Sequence, residues 1–581
     1  MRVHHPRRLA LCSVAAIVVA IVAYAGWLVW DSGRALAAAA DDARAAKAAV
    51  SAADPAAASR ALDDFSSHAS TAAHRTDSPV WSLLTKLPAI GDDAEGVRAV
   101  SQAADALGAG GLDGLARSVG DMDAFVPHDG TVDVQAVERL QQPVADVHRA
   151  LAAARVALSR QDPRGFVGPL RTKYLDLQRQ IASADDALTA ADRTLRVLPV
   201  MLGADGPRSY LLVMQNNAEI RATGGLPGSV SLIRADKGRI SMVKQATGTA
   251  LGHAPAPVLP LTAAERTLFG DNLGRYFLDG NLTPDFPRSA ALWKARWQQV
   301  EGGEVDGVVS VDTVTLSYLL RALGPITVDG VRLTGDNVVD ELLHNAYVRI
   351  AAPADQDVFF RDVAVAVFDR LTSFGGSRSD LVDALRRGAT ERRVLVHDFD
   401  PAVQGELAGT AVAGELTTTS TRSPQVGIYF ADGTLGKMSY YLRYGARVTA
   451  TSCQGGVQSM SGRLTVRSTA PKDAKAALPE YVLGYGVPAE SLGSQLVVVQ
   501  IFAPEGGKFA NFDTNGLDFD QTDADFEGRP VRTLWVLLKP GEVKDLSWTM
   551  TSGPGQTGAG RLSVTPSIEA GSKSMSMPSA C

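Results

Sequence analysis

Hydrophobic and polar positions change their period several times along this chain, and each change marks a different kind of element. Leu9 to Trp30 (LALCSVAAIVVAIVAYAGWLVW) is apolar throughout and carries no charge. At about 1.5 Å of rise per residue, a helix of this length crosses a hydrocarbon core of roughly 30 Å. From Asp31 to about Arg196 the chain is rich in Ala, Leu, Asp and Arg, as expected of helices with one packed stripe and one solvated face. Turn signals at Asp77-Ser78-Pro79, at Leu87 to Gly91 (LPAIG), at Pro127 to Gly130 and at Gln161 to Pro169 divide it. They predict helices over residues 34–75, 92–124, 133–160 and 170–196. Heptads are not sustained, so a packed bundle is expected rather than a long coiled coil.

Between about Leu198 and Gly414, strand-like runs alternate with helix-like ones. Ser209–Met214, Ser229–Arg234, Ile240–Lys244, Gly307–Val311 and Ile326–Val328 predict strands, while Ser289–Val300, Thr313–Leu323, Asp336–Arg349 and Asp355–Leu371 predict helices. This is the pattern of an α/β core with helices on a mixed sheet. Beyond about Gln425 the period falls to two: MSYYLRYGARVTAT, GRLTVRSTA, SQLVVVQIFAP, RTLWVLLKP and KDLSWTMT are separated by Gly, Pro and Asp, as in a β-sandwich. The Ser-, Met- and Gly-rich stretch Glu569 to Ala580 is expected to be loose except where Cys581 ties it down. The expected fold is α+β and multidomain: a cytoplasmic tail (1–8), a transmembrane anchor (9–30), a helical region (31–197), an α/β core domain (198–414), a β-sandwich (425–568) and a tail (569–581).

Charge gives this layout a direction. Arg2, Arg7 and Arg8 precede the apolar run, which predicts a single-pass cell-membrane protein with its N-terminus cytoplasmic and its bulk extracytoplasmic. Trp27 and Trp30 stand where an interfacial aromatic belt belongs, and the run exceeds a signal-peptide core of about 7 to 15 residues. An uncleaved anchor is therefore expected, with the small residues Ala35 to Ala40 leaving cleavage open. Cys12 lies in the apolar run, so Cys453 and Cys581 remain as an even pair for one disulfide outside the cytoplasm. The net charge of −6 argues against a nucleic-acid partner. No Cys/His zinc spacing, Walker-type loop or GxSxG elbow occurs.

Candidate chemistry gathers in the middle region. Directly after Met214 come Gln215, Asn216, Asn217, Glu219, Arg221 and Thr223, followed by Gly224 and Gly225. That density of hydrogen-bonding groups at a strand end reads either as a substrate-binding site or as turn chemistry with a surface Glu219–Arg221 pair. In YFLDGNLTPDFPR, Asp279 and Asp285 are candidate ligands for Mg²⁺, and Asn281 and Arg288 are candidate substrate contacts; an Asx-turn and a helix cap are the alternative. Asp306 and Asp312 bracket a strand and read as structural. Arg349 ends one predicted helix, while Asp357 and Arg361 begin the next. Two such arginines can converge on a phosphate or pyrophosphate, or they can form surface pairs.

The NNAEIRATGG peptide, the DGNLTPDFP loop, the VDGVVSVD strand and the LPAIG turn together resemble a bacterial envelope-protein family known only as a domain of unknown function. A weaker resemblance, carried by the TGG-containing strand, VDGVVSVDTVTLSYLLRALGPITVDG, LTGDNVVDELLHNAYVR and DQDVFFRDVAVAVF, is to the LytR-CpsA-Psr phosphotransferases. Those enzymes move glycopolymers from a polyprenyl pyrophosphate carrier onto peptidoglycan, using arginines and acids around the pyrophosphate with Mg²⁺. The resemblance implies an LytR-CpsA-Psr-like middle domain in which Arg221, Arg349 and Arg361 neutralise phosphate charge as catalytic residues. Where those enzymes place an arginine shortly followed by an aspartate, this chain has Arg221-Ala222-Thr223-Gly224, and their proline-arginine-aspartate loop is not recognisable. Two functions are therefore carried forward. One is an anchored protein of envelope glycopolymer assembly that binds or transfers polyprenyl-pyrophosphate-linked glycans. The other is a noncatalytic scaffold or binding protein working with envelope-assembly proteins in polysaccharide assembly or export.

Overall fold

The computed structural model describes residues 6–51, 54–110, 127, 129–373, 376–417, 422–513 and 520–581. The chain forms two compact units, Met1–Phe125 with Asp133–Val200 and Val126–Val132 with Met201–Cys581. Its architecture is mixed α and β with several sheets.

The first unit is helical. Its helices are α1 (Pro6–Ser51), α2 (Pro55–Thr76), α3 (Pro79–Leu84), α4 (Gly91–Ala109), α5 (Val134–Ser159) and α6 (Gly168–Met201). The helix expected over 34–75 is broken, because Asp54 accepts from the Ala57 N–H and Pro55 takes the first helical position, where its missing N–H costs nothing. Small side chains, Ala46, Ala49 and Ala58, pack where α1 meets α2. The helix expected over 92–124 ends as α4 at Ala109, and residues 111–126 lie outside the described set. The apolar run predicted as an anchor is continuous with α1, and Leu28 near its end is fully buried against Trp81 and Ala94. Trp27, assigned above to an interfacial belt, carries the Arg75 guanidinium 4.7 Å from its ring centroid. The side chains of residues 9–22 lie outside the described set, and among the described residues no helix is long and apolar enough to cross a membrane.

The second unit is built on a five-stranded sheet ordered β3-β2-β1-β4-β7. These strands are β1 (Arg208–Arg221), β2 (Gly224–Asp236), β3 (Arg239–Thr247), β4 (Gly307–Asp312) and β7 (Val394–Asp398). β1 and β4 run parallel and the other pairings are antiparallel. Ile326–Val328 (β5) stands outside this sheet, pairing only with β6 (Val331–Leu333) in a hairpin. Leu211 and Val213 point to one face of the sheet, where they join Trp293 and Trp297 of α7 (Phe286–Val300). On this chain α8 (Thr313–Leu323), residues 338–349 and α9 (Pro353–Thr372) share a second core of Leu316, Leu320, Leu342 and Phe359. Residues 338–349 begin later than Asp336 and contain a π-turn at Glu341–Asn345. α10 (Arg378–Thr390), which its polar pattern concealed, packs Leu381 and Ala384 against Val314 and Tyr318 of α8.

The largest departure concerns β1. A strand expected to stop at Met214 continues to Arg221, because β2 folds back beside it in a hairpin whose turn is Ala222-Thr223. β4 ends its pairing at Gln215–Asp312, so the hairpin runs on past the sheet with a register shift between Asn216 and Ile220. Its tip enters the β-sandwich: Ile220 is part of the sandwich core with Val426 and Val499, and the Thr565 hydroxyl donates to the Ala222 carbonyl at 2.9 Å.

The sandwich comprises a six-stranded sheet, β13-β14-β11-β8-β16-β17, over a four-stranded sheet, β12-β15-β10-β9. In chain order these are β8 (Gln425–Asp432), β9 (Leu442–Gln454), β10 (Val457–Ser468), β11 (Gln495–Phe502), β12 (Lys508–Asp513), β13 (Asp520–Phe526), β14 (Arg529–Leu538), β15 (Val543–Thr551), β16 (Gly560–Val564) and β17 (Met575–Met577). The tail expected to be loose supplies β17, which covers the β16 edge and buries Met577. Cys453 and Cys581 are joined as a disulfide.

Candidate functional site

Period-two alternation places Met214 on the face of β1 opposite Leu211 and Val213, and there a cavity of about 330 Å³ opens between the sheet and α9. It lies at the carboxyl ends of the two parallel strands, the position at which open α/β sheets usually receive ligands. β1 contributes Met214, Gln215 and Asn216; β2 and β3 contribute Leu226, Gln245 and Thr247; Thr313 and Leu316 come from the start of α8. α9 lines the cavity with Gln356, Phe360, Ala364 and Val367 on one stripe and with Asp357 and Arg361 beside it, the spacing of successive helical turns. Lys437 and Tyr481 reach in from the sandwich.

One corner of this cavity is polar and highly ordered. Asn216 donates to the Tyr347 hydroxyl, and the Lys437 ammonium lies 5.6 and 5.3 Å from the ring centroids of Tyr347 and Tyr481. Lys437 is buried and donates to Glu219 at 2.5 Å. Burial opposes its charge, yet the Glu219 carboxylate outweighs that cost and raises the Lys437 pKa. Burial likewise opposes ionisation of Glu219, but Lys437 and Arg221 together hold its pKa below the ordinary value. Arg221 bridges Glu219 at 3.0 Å and Asp279 at 3.2 Å. The nearby Asp432 carboxyl is pushed up to about 6 by burial and by the Glu219 charge.

The amides of the hairpin are braces. Gln215 donates to Ser310 at 2.6 Å and accepts from Thr223 at 3.0 Å, from the Gly225 N–H at 2.9 Å and from Asn281 at 3.2 Å. Asn281 also donates to Thr223 and to the Gly225 carbonyl, both at 2.9 Å. Asn217 donates to Asp312 at 3.2 Å, and Asp312 caps α8 through the Thr315 N–H. The sequence allows these residues either as a substrate-binding site or as turn chemistry after a strand; in the fold they tie a strand pair to its neighbours.

The candidate residues therefore scatter. Asn216 and Arg361 line the cavity; Glu219 touches it through Lys437. Arg221 is buried in its ion pairs, and its guanidinium does not line the cavity. Arg349 lies in a separate open cleft with Asp329 and Asp355, paired with Glu341 at 3.0 Å. Arg288 pairs with Glu265 at 2.6 Å and donates to the Pro260 carbonyl, securing the start of α7. Asp279 is engaged by Arg221, while Asp285 accepts from the backbone N–H groups of Arg288 and Leu416, so the two acids serve different contacts. Among the described residues no cluster of three or more His, Cys, Asp or Glu side chains could hold a metal ion.

Lys437, Tyr481 and Gln356 were not singled out in the sequence. Lys437 sits in the turn-rich stretch ADGTLGKMSYY, where nothing local separates a buried ammonium from a solvated one. The sequence marks Asp357 only as the start of a predicted helix, and Tyr347 gains its place from the cavity alone.

Fold and site together define a cavity-bearing mixed-sheet α/β domain plugged into a β-sandwich by its own hairpin. A family described as a protein of unknown function (DUF4012) matches residues 205–347. The matched stretch contains the hairpin, the Asp279–Asn281 turn, β4, α8 and Tyr347; LPAIG, α9, Lys437 and the sandwich lie outside it. Comparison with curated proteins found no match.

Proposed function

We propose that the cavity holds the carrier end of a lipid-linked glycan, making this an anchored envelope protein that binds intermediates of glycopolymer assembly. The observation that carries the reading is the pairing of aliphatic walls, from Leu226, Leu316, Leu342, Val363 and Val367, with two cations, Lys437 and Arg361. Aliphatic walls take up an isoprenoid chain, and guanidinium and ammonium groups meet phosphate oxygens with charge-assisted bonds. Arg361 is about half exposed and among the described residues pairs only with Asp362, at 3.5 Å, so it is free to turn towards a phosphate. The charge-free Leu9–Trp30 run with its basic flank supports membrane anchoring with the cavity domain on the outer side. The order of strands and helices seen in the LytR-CpsA-Psr resemblance supports a polyprenyl pyrophosphate as the carrier. Asp357 is the one carboxylate among the described cavity-lining residues, and together with the carrier's phosphate oxygens it would hold Mg²⁺.

The test is binding of a polyprenyl-pyrophosphate glycan to the purified chain in detergent, with and without Mg²⁺. Arg361→Ala is expected to weaken binding by about tenfold, the loss of one charge-assisted contact, and Ala364→Trp to abolish it by filling the cavity. Arg221→Ala is expected to lower stability with little effect on the affinity of the folded fraction. Binding that survives Ala364→Trp, or no binding at all, removes the cavity from the function and leaves the scaffold reading.

A further inference from the structure

A second, smaller pocket of about 50 Å³ lies between the α/β core and the sandwich and shares no lining residue with the cavity. Three arginines line it: Arg392 from the link between α10 and β7, Arg529 from β14 and Arg561 from β16. Arg529 is fully buried, and its guanidinium donates only to the backbone carbonyls of Ala503, Thr417 and Gln425, at 2.9, 3.0 and 2.9 Å. Among the described residues no carboxylate pairs with it directly, Glu505 acting on it only at longer range, although a buried charge ordinarily needs a direct partner. The Arg392 and Arg561 side chains make no hydrogen bond or ion pair with any described residue. The Arg561 side chain stands exposed at the rim of the pocket; partial desolvation and, after it, the Arg392 charge lower its pKa, so the two guanidinium groups repel each other there. The acid in the lining, Glu415, accepts from the Gly409 N–H at 2.8 Å and pairs with none of the three.

A second observation is independent of the charges. Tyr429 is only 6% exposed, lines the pocket and makes no hydrogen bond through its hydroxyl. Its ring lies back along β8 over Gly427, where a Cβ would stand 2.4 Å from the ring, so glycine is required for this placement. Register then sets Arg561 beside Gln425 and Ser563 beside Gly427, so cation and hydroxyl donors face the same space. The phenol lines the pocket without a hydrogen-bond partner among the described residues, so its O–H is available to a group bound there.

We propose that Arg392, Arg529, Arg561 and Tyr429 form a binding site for a phosphate-class oxyanion, distinct from the lipid-carrier cavity. The pocket has room for a few oxygen-sized groups and none for a sugar ring inside it, so the ligand enters as a terminal or bridging phosphate. Guanidinium forks and a phenolic O–H match phosphate oxygens in geometry and charge.

Thermal unfolding of the full chain tests this in inorganic phosphate, glycerol 3-phosphate or acetate, each against sodium chloride at equal ionic strength. Both phosphates are expected to raise the Tm with concentration, as any ligand of the folded state does. Arg561→Gln and Arg392→Gln are expected to weaken the phosphate response by about tenfold in apparent affinity while leaving the phosphate-free Tm unchanged or higher, because repulsion is relieved. Tyr429→Phe is expected to weaken the response without loss of fold. Ala364→Trp, which fills the other cavity, is expected to leave it intact, so that failure of one site does not decide the other. A larger response to glycerol 3-phosphate assigns the phosphate to a glycan or lipid head group; equal responses assign free phosphate. The site is overturned by an absent phosphate response, by an equal response to acetate, or by a phosphate response unchanged in both arginine variants.

Discussion

Asp285 carries both of its carboxylate oxygens on backbone N–H groups, and even so burial pushes its pKa up to about 6. In the unfolded chain the same carboxyl titrates near ~3.9. Between those values the folded state binds the extra proton, so this residue's contribution to stability grows as pH falls through about 6 and is lost as pH rises through it. Wild type is therefore expected to gain roughly 1 kcal/mol over Asp285→Asn between pH 7 and pH 5, read from denaturant unfolding at the two pH values. A stability difference that does not change with pH would exclude the raised pKa. The sequence reading of Asp285 offered a cap and a metal ligand as alternatives, and the cap is what the geometry displays. It could offer that pair because an Asp three residues before a helical N–H is a local pattern. Arg221 was harder: Glu219 stands two residues away, but Asp279 and the Lys437 charge behind Glu219 come from distant parts of the chain. Residue type and spacing raise a polar group to candidacy, whereas burial among non-local partners decides whether it is free to meet a ligand.

At the scale of elements, the β1–β2 hairpin connects the cavity to the sandwich. Gly225 is the position that permits it, since a Cβ there would stand 2.3 Å from the Asn216 carbonyl carbon and oxygen. Backbone atoms cannot move aside as a side-chain end can, so Gly225→Ala is expected to cost about 2 kcal/mol or more. Gly228→Ala, whose nearest neighbour is 4.0 Å away, is expected to change stability by less than about 0.5 kcal/mol. Chemical denaturation of the two variants checks this, and equal stabilities would remove the argument from the hairpin. Helices with strong local signals were legible: α8 runs over Thr313–Leu323, as the Asp312 cap and its apolar spacing predict. The extension of β1 was not, because Gln, Asn and Glu are poor strand formers and their pairing is imposed by β2 and by the sandwich that receives the tip. β7 was missed for a related reason: Val394–Asp398 is a short run with an ambiguous apolar pattern, and it becomes a strand by joining the open edge of β4.

For the whole molecule, the C-terminal segment acts as a strap over the second unit. Its disulfide closes a loop with a sequence separation of 128, β17 pairs with β16, and the buried Arg393 donates to the carbonyls of Ser567 and Glu569 at 2.8 and 2.6 Å. The same guanidinium meets Asp312 at 2.6 Å and Glu391 at 2.8 Å, so the α8 cap and the tail share one cation. Cys581→Ser is expected to lower stability by about 2 to 4 kcal/mol, chiefly by freeing the unfolded chain, and the loss should equal that produced by reduction of the wild type. Unchanged unfolding under reducing conditions would show that the bond adds nothing beyond the strand pairing. Local period and elimination are enough to specify the apolar N-terminal run, the change from helical to mixed to alternating segments, the caps, and the pairing of the two cysteines left outside that run. Tertiary structure alone decided which polar side chains face a cavity and which are consumed in ion pairs, that Lys437 and Arg361 share a cavity while Arg349 does not, and that three distant arginines meet at Tyr429. Those outcomes depend on desolvation and on charges brought together across hundreds of residues, and neither quantity is written in the spacing of a chain.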